Sequence, residues 1–248
     1  AFPTEPDAWA MDSRDEHIPN NTVRWESGPD SAIGQAPPEW NAIAARGGRT
    51  IELDDNLEDW MGLWWWDVDT THTVVGPPAT GSGSLRVVWD EEALWIGAIV
   101  RDDDLLNPAP REQPWAGDSL EIYLDLNTPD EIGMQVYNER VFQIQLVPSL
   151  PELPEGHLMF SRPENRSTEG IEHVTHTRHG GERVIVMHEI RLPWTSLGLE
   201  GPPERWLGFD WAINDLDADG ISRSQMVWRG TMENWRDPSG FARIGLAE

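Results

Sequence analysis

Cysteine and lysine are both missing from this 248-residue chain. Without a thiol there can be no disulfide framework, no thiolate zinc or iron–sulfur site and no cysteine nucleophile. Without lysine, all 18 basic residues are arginine, and they stand against 44 acidic residues for a formal net charge of −26. A surface this acidic repels phosphate backbones and anionic headgroups, which excludes nucleic acid and membrane surfaces as partners and leaves cations and neutral ligands. The same excess fits a halophilic or GC-rich source, where carboxylates keep the protein soluble, so most of the charge concerns solvent and not a site. Any run of about 18 apolar residues is also lacking, hence no helical membrane span is expected. A first residue Ala1 in place of Met fits a processed or trimmed chain, in which any signal peptide would already be excluded.

Tyrosine and phenylalanine are scarce, at 2 and 5, beside 15 tryptophans. Tryptophan either fills a core or offers a flat apolar face with one polar N–H, and sugar-binding surfaces use that face.

Residues 1–46 read as an irregular extension, punctuated by Pro3, Pro6, Pro19, Pro29, Pro37 and Pro38. Their Trp9, Trp25 and Trp40 argue for packing along the main domain, because disordered tails are poor in aromatics. Residues 47–248 alternate in short runs between turn residues, with no sustained helical period, which predicts an all-β chain folded as a two-sheet antiparallel sandwich of jelly-roll type. Leu85–Trp89 and Leu94–Val100 read as a hairpin. Period 2 in Ser119–Leu126 puts Leu120, Ile122 and Leu124 on the core face and turns Glu121, Tyr123 and Asp125 outward. In Val141–Val147 it places Gln143 and Gln145 together on the face opposite Phe142, Ile144 and Leu146. Further strands are expected over Arg183–Leu192, Leu207–Asn214, Gln225–Trp228 and Phe241–Leu246, and loops over 63–83 and 148–170. Trp89, Trp95, Trp194, Trp206, Trp211 and Trp228 sit on or beside strands and read as core. Trp115 and Trp235 sit in loops, where ligand contact is the better reading.

Several collinear strings resemble family 9 carbohydrate-binding modules: Ile51–Trp60, Leu85–Val100, Pro114–Asp125, Glu189–Trp194, Leu207–Asp210 with Ile213–Asp215, and Asn234–Phe241. The resemblance covers roughly residues 48–246. It implies a calcium-stabilised sandwich that grips the end of a glucan or xylan chain between two tryptophan rings. By position these are Trp115 and Trp235, and Glu121 matches a carboxylate that accepts sugar hydroxyls. Two departures are Gln143, where the family places an arginine, and Met232, where it places an amide. A pyranose shows C–H bonds on both faces and hydroxyls round its rim, so two aromatic planes and in-plane polar groups suit it. Trp115, Glu121, Gln143, Gln145, Asn234 and Trp235 contain those parts.

Asp215, Asp217 and Asp219, followed by Gly220, have the D-x-D-x-D-G spacing that wraps oxygen ligands around calcium, and a plain polar turn is the other reading. Met226 stands where an EF-hand needs its glutamate. His173, His176 and His179 suggest a transition metal by residue type, but on a strand His173 and His176 diverge, and a solvent-exposed loop is expected. Asn20–Thr22 and Asn165–Ser167 match the glycosylation triplet, which is short enough to arise by chance. The expected activity is non-catalytic binding of mono-, oligo- or polysaccharide by a secreted, periplasmic or extracellular protein. One alternative is a glycosidase or lyase on the same sandwich. Glu121 and Asp125, however, lie about 13 Å apart along a strand, beyond the roughly 5 to 9.5 Å that glycosidases use. A lesser alternative is a haem-binding electron-transfer subunit with axial ligands drawn from Met134 and the histidines.

Overall fold

A computed structural model of the chain describes residues 42–47, 51–54, 57–60, 65–128, 131–164, 166–181, 183–204 and 206–247. The readings made at Trp9, Trp25, Trp40, Asn20 and Asn165 lie outside these residues. The described strands are β1 (Ala42–Arg46), β2 (Trp66–Val68), β3 (Thr73–Val75), β4 (Ser82–Trp89), β5 (Ala93–Asp102), β6 (Ser119–Asp125), β7 (Val141–Val147), β8 (His157–Arg162), β9 (Glu172–Gly180), β10 (Arg183–Pro193), β11 (Trp206–Leu216), β12 (Arg223–Val227) and β13 (Ala242–Ala247). The fold is the all-β sandwich that the alternation predicts. Four differences from the sequence reading stand out. The end of the extension forms β1, the expected loop 63–83 contains β2 and β3, the Pro-punctuated stretch 148–170 contains β8, and the histidine segment is β9 rather than a loop.

One layer runs β8-β7-β6-β11, and the other β9-β10-β5-β4; β13 and β1 join them in one continuous ladder. All described pairings are antiparallel except those of β1, which runs parallel to both β13 and β4. The β4–β5 hairpin closes as expected, because Asp90 Oδ1 accepts from the amides of Glu92 and Ala93, each at 2.8 Å. Trp95 Nε1 donates to Asp90 Oδ2 at 2.8 Å and Trp194 Nε1 to its carbonyl at 2.9 Å, pinning the turn from both sides.

Between the layers, Leu120, Ile122 and Leu124 of β6 and Phe142, Ile144 and Leu146 of β7 join Leu85, Ile96 and Ile190 in one apolar cluster. Trp66 and Trp228 stack there at 4.9 Å with planes 14° apart. Trp89, Trp194, Trp206, Trp211 and Trp228 are buried as read. Trp95 is only half-buried, lying on the outer face of its sheet with the Arg191 guanidinium over its ring.

The outer faces are covered as well. On β5, Gly97 leaves room for the Trp60 indole, since a Cβ there would stand 2.8 Å from Trp60 Cδ2. Ile51, Leu57 and Trp60 pack with Val88 and Met187 over that sheet. On the other sheet every residue of β6 and β7 is buried. Glu121 is thus turned from the core, as period 2 requires, but is 2% exposed. Alternation fixes the face of a side chain, whereas loops remote in sequence decide its exposure.

Candidate functional site

Two loops stand on the outer face of the β6–β7–β11 sheet, and each carries a half-exposed tryptophan. Trp115 belongs to a short 3-10 turn, Pro114–Ala116, that leads into β6 and packs on β7 and β11. Asn107 Nδ2 donates to the carbonyls of Pro114 at 2.9 Å and Asp118 at 3.2 Å, and a Cβ at Gly117 would lie 2.5 Å from Leu106 O. A turn held this closely leaves only its apolar ring outside, and Trp115 is 48% exposed. Trp235, 46% exposed, rides on the loop after β12. The Arg236 guanidinium lies 5.5 Å from its ring centroid and pairs with Glu233.

Beneath the loops is a layer of amides and carboxylates. Glu121 Oε1 accepts from Asn214 Nδ2 at 2.7 Å, and Oε2 accepts from Gln143 Nε2 at 3.0 Å and from the Tyr123 hydroxyl. Gln225 Nε2 continues the chain to Asn214 Oδ1 at 3.0 Å. Burial, and then the neighbouring Glu121 carboxylate, raise the Tyr123 phenol well above its ordinary range, so it stays a donor. Gln145 lies opposite Glu121, and both its amide atoms are buried without a hydrogen-bond partner. Asn234 is 2% exposed and is committed to its own loop: Oδ1 accepts from Thr231 N at 3.0 Å, and Nδ2 donates to Asp210 Oδ2 at 2.7 Å.

The structure therefore brings Glu121, Gln143 and Gln145 together under the sheet's loops and gives Asn234 the role of a brace. Sequence reasoning missed Asp210, Asn214, Gln225 and Tyr137, whose hydroxyl donates to Asn234 O at 2.6 Å. Tyr123, two residues from Glu121 on the same face, is the member the period could have supplied. Asp125, farther along that face, is occupied by Asn127 at 2.8 Å and the Gly133 amide at 3.2 Å.

The acidic turn is arranged differently from the D-x-D-x-D-G expectation. Of its three aspartates only Asp215 enters a buried group, with Asp102 and Asp118, whose ligand oxygens all lie within 4.8 Å of one another. The reason is the strand period. Asp102 ends the inward row after Ala98 and Val100 on β5, Asp215 the row after Trp211 and Ile213 on β11, and Asp118 the row before Leu120 and Ile122 on β6. Asp219 instead accepts from the Ile221 and Ser222 amides, each at 2.7 Å, and from Ser222 Oγ at 2.6 Å, closing a turn at Gly220 with φ +68°.

Burial, followed by the nearby Asp215, pushes Asp102 up to about 7. Burial pushes Asp118 up to about 8 despite hydrogen bonds from the Leu106 and Leu216 amides. Among the described residues none of the three carboxylates has an ion-pair partner. Three crowded, desolvated oxygen donors of this kind fit a hard divalent cation. A small cavity between the sheets, lined by Asp102, Asp118, Asn214 and His188, adjoins them. The three singled-out histidines do not converge. His173 meets His188 instead, Nε2 to Nδ1 at 3.1 Å, and burial pushes His173 down to about 4, so the pair is neutral.

Comparison with known proteins agrees with this architecture. The chain is 26% identical over 199 residues to the exoglucanase XynX of Acetivibrio thermocellus, an alignment covering 79% of this chain and 16% of that protein. It is 27% identical over 182 residues to endo-1,4-beta-xylanase A of Thermotoga neapolitana, covering 73% of this chain and 16% of the enzyme. It thus spans about one sixth of the length of these relatives. Among solved structures, a family 9 carbohydrate binding module from Caldicellulosiruptor kristjanssonii in complex with cellotriose superposes with a TM-score of 0.62 at 20% identity, over 83% of this chain and 92% of the module. The same module in complex with glucose gives the same TM-score at 19% identity, over 83% of this chain and 94% of the module. The sequence profile described as "Carbohydrate family 9 binding domain-like" matches residues 59–248, and the chain belongs to that family.

Proposed function

We propose that the chain holds the end of a neutral glucan- or xylan-type polysaccharide between the Trp115 and Trp235 rings, without cleaving it. The observation that carries this is the pair of half-exposed tryptophans on two braced loops above a carboxylate and amide layer, in a chain of this family. Ring faces supply stacking against pyranose C–H bonds, and Glu121, Gln143 and Gln145 supply acceptors and donors for hydroxyls. Glu121 already receives three donors, which leaves it one acceptor site for a sugar hydroxyl. The acidic surface opposes uronates and favours neutral sugars. The likeness to modules solved with cellotriose and glucose, and to a xylanase and an exoglucanase, supports glucan or xylan as the class and export from the cell as the setting.

Calcium at Asp102, Asp118 and Asp215 completes the reading. There it would neutralise three buried carboxylates and tie β5, β6 and β11 together below the Trp115 turn. Calorimetry against glucose, cellobiose, xylobiose and longer glucans tests the binding. Heat with at least one of them, lost in Trp115→Ala and Trp235→Ala, is the expected result. No heat with any of them, or affinity unchanged in both variants, overturns it. A thermal transition that rises with calcium and falls with chelator is the expected sign of the metal; a transition indifferent to both would remove it.

A further inference from the structure

We propose that Asp210 is the positioning residue for the Trp235 ring, and that its charge makes the grip on sugar weaken in mild acid. The inference rests on Trp235 being a sugar-stacking ring. Asp210 lies on the outer face of β11, opposite Tyr123, with 0% exposure. Its Oδ1 accepts from Trp211 N at 2.9 Å and Arg229 N at 3.1 Å, and its Oδ2 from Gly230 N at 2.6 Å and Asn234 Nδ2 at 2.7 Å. Four donors fill the acceptor sites of an ionised carboxylate. Two of them open the loop that carries Trp235, and a third is the residue immediately before the ring. The loop is closed so tightly that a Cβ at Gly230 would lie 2.2 Å from Asn234 Oδ1 and 2.5 Å from Asp210 Oδ2. The orientation of Trp235 is therefore set from Asp210 through one residue.

The groups facing Asp210 are the Tyr123 phenol from β6, the Tyr137 phenol from the loop between β6 and β7, and Arg229 and Asn234 from the Trp235 loop itself; Glu121 shares the face through Tyr123. Burial raises the Asp210 carboxyl to about 6 against the four hydrogen bonds that pull it down. Once protonated, the group carries an O–H of its own among donors, and at least one of the four N–H groups, three of which belong to the Trp235 loop, loses its partner.

The test uses the whole chain with saturating calcium and cellobiose as the probe, from pH 7.5 to 5. Affinity should fall about tenfold over that range, the size of one weakened hydrogen bond to a charged group. Amide resonances of Trp211, Arg229 and Gly230 should titrate with a midpoint near 6 in the unliganded protein. Asp210→Asn should bind weakly and without pH dependence. A pH-independent wild type, or an Asp210→Asn protein that keeps the wild-type slope, overturns the proposal. If the variant does not fold, the wild-type pH series decides alone. If folded wild type binds no sugar at any pH, it is the ring assignment that fails. The amide titration, with faster hydrogen exchange in the loop at low pH, then still confirms or refutes the hold of Asp210 on Trp235.

Discussion

The two outer faces of the sandwich both set tryptophan beside a buried carboxylate, and they use the pair in opposite ways. On the β4–β5–β10 side, Trp60 is 0% exposed and its indole N–H donates to Glu189 Oε1 at 3.0 Å, while Glu189 Oε2 accepts from Asp54 N at 3.2 Å. Everything that ring can offer is consumed inside the protein. On the β6–β7–β11 side the carboxylate of Glu121 is served by side-chain amides, which can exchange partners, and Trp115 and Trp235 stay half outside. A tryptophan with an acidic neighbour is thus no sign of a binding site by itself; the sign is whether ring face and carboxylate are left with something to give.

The severest test of the contrast is Trp60→Ala, which should cost about 3 to 5 kcal/mol of stability, read from urea unfolding, with sugar affinity in the folded fraction unchanged. Trp115→Ala should do the reverse. Affinity should fall by about 2 kcal/mol or more, roughly thirtyfold, with the unfolding midpoint almost unmoved. Overlapping profiles for the two variants would erase the distinction. Next in size, Gly97→Ala should destabilise by about 1 to 3 kcal/mol, because the new methyl meets the Trp60 indole; a neutral result would mean the strap can lift.

A pH effect separates the faces through the three buried aspartates. With chelator present, the folded state holds protons on Asp102 and Asp118 up to about 7 and 8, whereas the unfolded chain releases them near 3.8. Stability should then fall as pH rises from about 4 through 8, and calcium should abolish that slope. The melting temperature across pH, with and without calcium, reads it directly, and a flat profile with chelator would contradict the crowding of the three carboxylates. Since Asp118 lies just beyond the Trp115 turn, the same chelation should lower affinity on this face alone.

The contrast between faces is only half legible in the sequence. Strands β6 and β7 announce themselves by strict alternation, and Glu121, Gln143 and Gln145 fall on one face by arithmetic. What period 2 cannot supply is the partner across the sheet, since Asn214, which donates to Glu121, is 93 positions away. Strand β9 is hard to see because an edge strand of histidine, threonine and arginine has no apolar row to display, and β8 because Pro148, Pro151, Pro154 and Pro163 frame it. The calcium reading falls on Asp217 and Asp219 because a local spacing is easy to see. The better signal is an aspartate ending each of three inward rows, visible only once strands β5, β6 and β11 are placed side by side.

Strand β1 is a small element with a mechanical consequence. It runs parallel to β13, with Ala42 opposite Ile244 and Ala45 opposite Ala247. A pull between the chain before Ala42 and the chain after Ala247 therefore slides the two strands lengthwise past each other. The ladder bonds then bear the force together, whereas peeling the strands would load and break them in succession. Single-molecule extension should show the sandwich yielding at markedly higher force when drawn from these positions than when drawn across β8 and β9.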